Sequence, residues 1–223
     1  MVILFDLVGT LFSLRRVEET FRAAAVPVEI LPFWFARLLH VSMASTLAGR
    51  YTPFLAAGES ALRQVLTYRD LPHDVVPGAM DAMRTLDPWE DTRGSLTALR
   101  AAGHTLVALS NAHPEMLGSL LGGARLTELF AAVLSSDEVR HCKPHPAPYR
   151  MALERMAVRQ PADACMVAAH AWDVQGAAAL GLRTVWISRV EKAWSFPGRP
   201  PGLAITSLTE LPSAVSSLGS ADA

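Results

Sequence analysis

The feature that most narrows what this chain can fold into is an alternation that starts, breaks off and resumes. A short apolar run, Val2 to Phe5, ends at Asp6, and Gly9 and Thr10 follow as turn residues. That is the pattern of a buried strand running into a sharp loop. No second strand is legible for roughly the next 90 residues. Between residues 13 and 92 apolar residues instead recur at three- and four-residue spacing. They run through Phe33, Trp34, Leu38 and Val41, then Leu55, Leu62 and Leu66, as amphipathic helices require.

From about residue 95 strands and helices alternate. Leu96 to Ala102 reads as a helix stopped by Gly103. Thr105 to Leu109, Phe130 to Leu134, Cys165 to Ala169 and Thr184 to Ile187 read as strands, and Ala204-Ile205 as a short edge strand. Pro146 to Met156 and Gly176 to Leu180 read as helices, the first with proline tolerated in its opening turn. The tail from Ser213 is small and polar and is expected to fray. This order predicts an α/β fold with a doubly wound, parallel, Rossmann-like sheet. The core is expected from residues 1–12 and 93–223. The helical block 13–92 is expected as an inserted cap whose two ends leave and re-enter the core on the same side.

Bulk properties exclude several functions. A formal net charge of −1 argues against a nucleic-acid or membrane-surface protein driven by electrostatics. No uninterrupted apolar run reaches the roughly 18–20 residues of a bilayer span. Two cysteines, Cys142 and Cys165, form no disulfide framework and read as small buried hydrophobes. No basic segment precedes the first strand, so no signal peptide is expected. A soluble, cytoplasmic protein is the expectation. Only two of the 20 basic residues are lysines, Lys143 and Lys192.

Ligands of open parallel sheets bind beyond the carboxyl ends of the strands. Here those ends carry Asp6, Ser110 and, near the fourth strand, Asp173, while Lys143 lies in the loop after the third. Four polar groups at successive strand ends would converge on one crevice. Each has a plainer reading when taken alone. Asp6 and Thr10 suit a turn, Ser110, Asn111 and Asp173 suit helix caps, and Lys143 suits a solvated surface. His170 suits a satisfied structural histidine, Tyr149 and Trp172 suit core packing, and Phe54 suits ordinary cap core.

Taken together, Asp6-Leu-Val-Gly-Thr-Leu, Leu109-Ser-Asn, Lys143-Pro and Val167-Ala-Ala-His-Ala-Trp-Asp173 resemble, in order, the four motifs of the haloacid dehalogenase superfamily. The likeness covers nearly the whole chain and is strongest to the type II 2-haloacid dehalogenases. Phe5-Asp-Leu-Val-Gly-Thr-Leu-Phe12, Leu-Ser-Asn111, the step from Lys143 to Tyr149 and Ala-Trp-Asp173 carry it. The resemblance implies that Asp6 is a nucleophile forming an ester with substrate carbon. Thr10 would bond to it and to the loop, and Leu7 would contact the substrate or leaving group. Ser110 would position a carboxylate or oxyanion. Lys143 would keep Asp6 ionised and stabilise developing charge. Asp173 would pair with Lys143 and help activate water, and His170 would orient that water or take its proton. Asn111, Phe54 and Trp172 would cradle the leaving group, and Tyr149 would orient the Lys143–Asp173 side and join the substrate-binding residues.

Departures from the superfamily pattern sharpen the chemistry. Most of its phosphatases carry a second Asp two residues after the nucleophile, where this chain has Val8. They also use an acid early in the fourth motif to complete a magnesium site, where this chain has Ala168-Ala169-His170. Magnesium wants oxygen ligands in near-octahedral array, whereas attack on a carbon–halogen bond needs neither metal nor a leaving-group acid. No lysine precedes Lys143, so the cap-lysine Schiff base of the superfamily's phosphonatases is closed to this chain. One departure points elsewhere. The type II enzymes place an arginine after the cap tryptophan that aligns with Trp34, and here Phe35 stands there. Arg37 or another cap arginine from a nearby turn is the candidate substitute.

The expected reaction is therefore hydrolytic dehalogenation of a small 2-haloacid, with water as co-substrate and no cofactor or metal. The alternatives are a phosphatase with an atypical metal site and a weakly active or non-catalytic binding protein on the same fold. Relatives are often dimers, so a homodimer stays open, although no interface signature is legible.

Overall fold

The computed structural model of the chain describes residues 1–220. Six strands form one sheet: β1 Val2–Phe5, β2 Thr105–Ser110, β3 Ala132–Ser135, β4 Ala164–Ala168, β5 Arg183–Ile187 and β6 Leu203–Ile205. Their spatial order is β3-β2-β1-β4-β5-β6, and every pairing is parallel. Strand order reverses at β1, which pairs Phe5 with Ala108 of β2 on one side and with Val167 of β4 on the other. That reversal opens a crevice at the carboxyl end of β1, where Asp6 stands.

The two-residue period of each strand divides the core into two layers. Ile3, Phe5, Leu106, Ala108, Cys165 and Val167 pack on one face with α5 (Thr92–Ala101), α6 (Pro114–Gly123) and α9 (Leu211–Ser220). Leu4, Val107, Leu109, Met166 and Ala168 pack on the other with α7 (Pro146–Arg155) and α8 (Ala171–Ala178). Burial on both faces explains why these strands read as continuous apolar runs rather than alternating ones. Burial also pushes the Cys142 and Cys165 thiols up to about 12, so both are inert at neutral pH.

Between β1 and α5 stand α1 Arg15–Ala23, α2 Ile30–Leu47, α3 Phe54–Tyr68 and α4 Val75–Met83. Trp34 of α2 donates its indole N–H to the Gly58 carbonyl of α3 at 2.8 Å, and a Cβ on Gly58 would sit 2.9 Å from Leu38. Glycine thus lets the two longest helices approach. The linkers to this block lie side by side: Ser13 N–H donates to Asp87 O and Trp89 N–H to Leu11 O, both at 2.9 Å. Helix α2 meets the length and composition of a membrane span at mean hydropathy 1.2. Its Leu31, Trp34, Phe35 and Leu38 are buried within the protein.

Two elements differ from the sequence expectation. The fourth-motif helix begins at Ala171 rather than Gly176, because Gly176 is an interior packing residue and not a start signal. The tail from Ser213 belongs to α9, whose Leu211 and Val215 are buried against the sheet; residues 221–223 lie outside the described ones.

Candidate active site

Asp6 follows the last residue of β1 and is almost fully buried, at 4% exposure. The chain then turns tightly, with Leu11 and Phe12 N–H groups both donating to Leu7 O and Gly9 N–H to Phe12 O. Gly9 has a φ of +86°, which L-residues rarely adopt, and an added Cβ would lie 2.6 Å from His170 Nε2. The turn returns Thr10, whose hydroxyl donates to Asp6 Oδ2 at 2.7 Å and accepts from Ala169 N–H at 2.8 Å. One hydroxyl therefore ties the carboxylate to the end of β4.

Lys143 reaches the same carboxylate from the loop after β3 and is completely buried. Its ammonium donates to Asp6 Oδ1 at 3.1 Å, to Leu109 O at 2.8 Å and to Asp173 Oδ2 at 2.5 Å. Asn111 brackets its backbone, accepting Lys143 N–H at 2.8 Å and donating to Lys143 O at 3.4 Å. Tyr149 donates its hydroxyl to Asp173 Oδ1 at 2.5 Å. Two carboxylates thus share one cation. Burial opposes the Lys143 charge, but Asp173 and Asp6 outweigh it and raise its pKa. The Asp173 pKa is raised, chiefly by burial, with Lys143 opposing the shift and the Asp6 charge adding to it.

A cavity of about 10 Å³ lies over Asp6, walled by Val8, Ser110, Asn111, His170 and Trp172 of the core and by Phe35, Leu39 and Phe54 of the helical block. It is the size of one water molecule. A wider pocket of about 490 Å³ lies outside it and shares three walls with it, Phe35, Leu39 and His170. His170 sets Nε2 at 3.1 Å from Val8 O and Nδ1 at 3.3 Å from Glu191 Oε1, and its ring stacks on both Phe35 and Trp172. The Trp172 indole N–H is buried without a hydrogen-bond partner. Buried donors are nearly always paired, by protein groups or by ordered water.

The structure brings Asp6, Ser110, Asn111, Phe54, His170 and Trp172 to the cavity, and hydrogen bonds join Thr10 and Lys143 to Asp6, Asp173 to Lys143 and Tyr149 to Asp173. Four expectations need correction. Arg37 points along α2 instead of into the cavity, donating to Gln64 at 2.6 Å with His40 3.1 Å away. A two-residue offset, about 200° around the helix, rotates it off the wall that Phe35 forms. Leu7 is buried in the apolar core and does not line the cavity. Tyr149 does not touch the cavity either; it is fully buried and acts on Asp173. Asp173 is likewise fully buried with both oxygens occupied, so it acts through Lys143 and not on a water in the cavity.

Glu191 was not legible in the sequence. It lies beyond β5, in no motif, and only the folded loop brings it to His170 and to Ala171 N–H, 2.9 Å away. Arg189 was missed for the same reason; it pairs with Asp91 at 2.5 Å and lies over the Trp89 ring, pinning one cap linker to the core.

The donor set does not fit a magnesium ion. The Lys143 ammonium itself bridges Asp6 and Asp173, which is where a cation shared by the two acids would stand. The neighbouring positions offer Val8, Ala168 and Ala169, without side-chain oxygens. Among the described residues no cluster of three or more His, Cys, Asp or Glu side chains is disposed to hold a metal.

A family model for haloacid dehalogenase-like hydrolases matches residues 1–181. The chain is 35% identical over 212 residues to (S)-2-haloacid dehalogenase 1 of Pseudomonas sp. (strain CBS-3), covering 93% of each protein. Among solved structures it is similar to the L-2-haloacid dehalogenase from Xanthobacter autotrophicus, with TM-score 0.87 and 28% identity over 97% of this chain and 98% of that one. A second structure of that enzyme, with chloropropionic acid covalently bound, gives TM-score 0.85 at 28% identity over 96% of this chain and 98% of that one.

Proposed function

The chain belongs to the haloacid dehalogenase-like hydrolases, and from that premise we propose that it cleaves the carbon–halogen bond of small 2-haloacids through an ester on Asp6, without a metal. The observation that carries this reading is the Asp6 carboxylate, fixed by Thr10 and Lys143 on its two oxygens at the floor of a small enclosed cavity. A carboxylate so held is a poor general acid but a well-aimed nucleophile.

In the first step an Asp6 oxygen attacks C2, the carbon–halogen bond breaks, and halide leaves with the bonding pair. Val8, where a leaving-group acid would stand, is no obstacle, since halide departs unprotonated. Asn111, Phe54 and Trp172 surround the departing halide, and the unpaired Trp172 N–H is a donor for it. Ser110 lines the cavity and positions the substrate carboxylate. In the second step water adds to the ester carbonyl and the acyl carbon–oxygen bond breaks. The 2-hydroxy acid leaves with one water proton on its hydroxyl, the other proton passes to solvent, and Asp6 keeps the water oxygen. Lys143 balances charge on Asp6 throughout. Every group named comes from one chain, so the site is complete without a second copy.

The test is halide release from chloroacetate and 2-chloropropionate with and without a chelator, beside intact-protein mass spectrometry. We expect undiminished release in chelator, a covalent adduct on Asp6, and no release by Asp6→Asn. Halide release by Asp6→Asn, or metal-dependent phosphate release with no halide, would overturn the assignment.

A further inference from the structure

The cavity above Asp6 must accept an anion, yet none of its walls is a lysine or arginine. Lys143 does not line it and is committed to Asp6, Asp173 and Leu109 O. Two carboxylates against one ammonium leave the interior short of positive charge. A 2-haloacid carboxylate entering that space meets net repulsion unless another cation faces it.

The one titratable wall residue besides Asp6 is His170, and its hydrogen bonds specify its proton count. Nε2 faces the Val8 carbonyl oxygen at 3.1 Å and Nδ1 faces the Glu191 carboxylate at 3.3 Å. A backbone carbonyl and a carboxylate both only accept. Two acceptors require two ring N–H donors, and a ring with two is an imidazolium. Glu191 is itself oriented for this task, since its other oxygen accepts Ala171 N–H at 2.9 Å. Exposure separates the pair: the His170 side chain is 4% exposed and Glu191 is 24% exposed. The carboxylate is thus screened by solvent on the outer side, while the imidazolium looks into the enclosed cavity.

We infer that His170 is a permanently protonated counter-charge, held so by Val8 O and Glu191, and that it draws the anionic substrate over Asp6 where Phe35 supplies no charge. This rests on the 2-haloacid reading above for the identity of the anion. It also removes His170 as a base toward water, because neither ring nitrogen keeps a lone pair. The charged groups around the ring are Asp6 from the end of β1, Glu191 from the loop after β5, Lys143 beneath Trp172, and Glu18 and Arg189 across the wider pocket. The net effect agrees in direction: burial opposes the ring's charge, but the Glu191 hydrogen bond and the Asp6 charge outweigh it and raise its pKa.

The experiment is long-range proton–nitrogen NMR of histidine-labelled protein at about pH 7.5, a unit above the ordinary imidazole value of about 6.5. The His170 signals are assigned by loss in His170→Gln or, should that variant not fold, by their shift in Glu191→Gln. Both ring nitrogens should be protonated in the native enzyme, and the titration midpoint should fall in Glu191→Gln. A lone pair on either nitrogen at that pH overturns the inference. The kinetic arm is Glu191→Gln, which keeps an acceptor for Ala171 N–H. At about pH 8 its KM for 2-chloropropionate should rise about tenfold with kcat within about twofold, and the KM difference should narrow as pH falls through the variant ring's lowered titration midpoint. An unchanged KM, or a loss confined to kcat, removes the counter-charge role. The NMR measurement needs no turnover, so a chain that releases no halide would sink the reaction assigned above and leave the ring's charge state separately decided.

Discussion

Replacing Lys143 by methionine removes one positive charge and leaves two carboxylates facing each other in a space from which solvent is excluded. Methionine matches the length of the aliphatic stem, so the change is electrostatic more than steric. The ammonium makes three hydrogen bonds, two of them to carboxylates and one to Leu109 O. Removing one partner of a buried ion pair typically costs about 3–5 kcal/mol. At about 2–4 °C of melting temperature per kcal/mol for a chain of this size, Lys143→Met should melt about 6–20 °C below the native protein at pH 7.

The pH dependence follows from the Asp173 carboxyl, whose folded pKa already lies above its ordinary value. An acid whose pKa is raised on folding costs stability while ionised and regains it as pH falls through the folded value. Without the ammonium that pKa rises further, so the deficit should be greatest at neutral pH and shrink as the solution is acidified toward the carboxylate range. The triple variant Asp6→Asn, Lys143→Met, Asp173→Asn removes all three charges and should recover most of the loss, since deleting a buried charge set whole is often nearly neutral. The assay is thermal unfolding by circular dichroism across pH. A single variant within about 1 kcal/mol of the native protein at pH 7, or a deficit that widens on acidification, would refute the shared-cation account.

Two further outcomes follow from the packing around that pair. Tyr149→Phe deletes the 2.5 Å hydrogen bond to Asp173 Oδ1; a bond to a charged group is worth about 1.5–3 kcal/mol, and the unfolding free energy from urea titration should fall by that amount with kcat reduced. Gly176→Ala would place a methyl 2.5 Å from Pro144 Cβ and 2.8 Å from the Tyr149 hydroxyl, so it should cost about 1–3 kcal/mol as overpacking and slow turnover by displacing the Lys143 loop. Gly118→Ala, in α6 with nothing within 4 Å of the added carbon, is the control and should be neutral or stabilising by up to about 1 kcal/mol in the same urea titration.

The legible part of the site was the part that parallel-sheet topology dictates. Asp6, Ser110 and Lys143 sit at or just beyond strand ends, and a strand end is recognisable as the place where an apolar run meets a polar residue. The sheet was readable for a related reason, since strands buried on both faces announce themselves as runs of valine, leucine and isoleucine. What resisted was whatever depended on angle or on a distant loop. Arg37 and Phe35 are two residues apart, about 200° around a helix, so only coordinates tell which of them faces Asp6. Glu191 reaches His170 across 21 positions from a loop with no pattern of its own. Gly176 looked like punctuation between segments and is instead the gap into which Pro144 and Tyr149 pack. The final helix escaped notice because its serines and alanines are polar or small on average, while its buried contacts rest on Leu211 and Val215.

The one-water void above the nucleophile has a consequence for substrate entry. A chamber that size holds one water, whereas the ester on Asp6 places an organic acid there, so the cavity must be wider while substrate is bound than in the arrangement described. The same Phe35, Leu39 and His170 surfaces partition the chamber from the roomier vestibule. A substrate passing from the vestibule to Asp6 crosses between these side chains, where the Phe35 and His170 rings stack 5.4 Å apart.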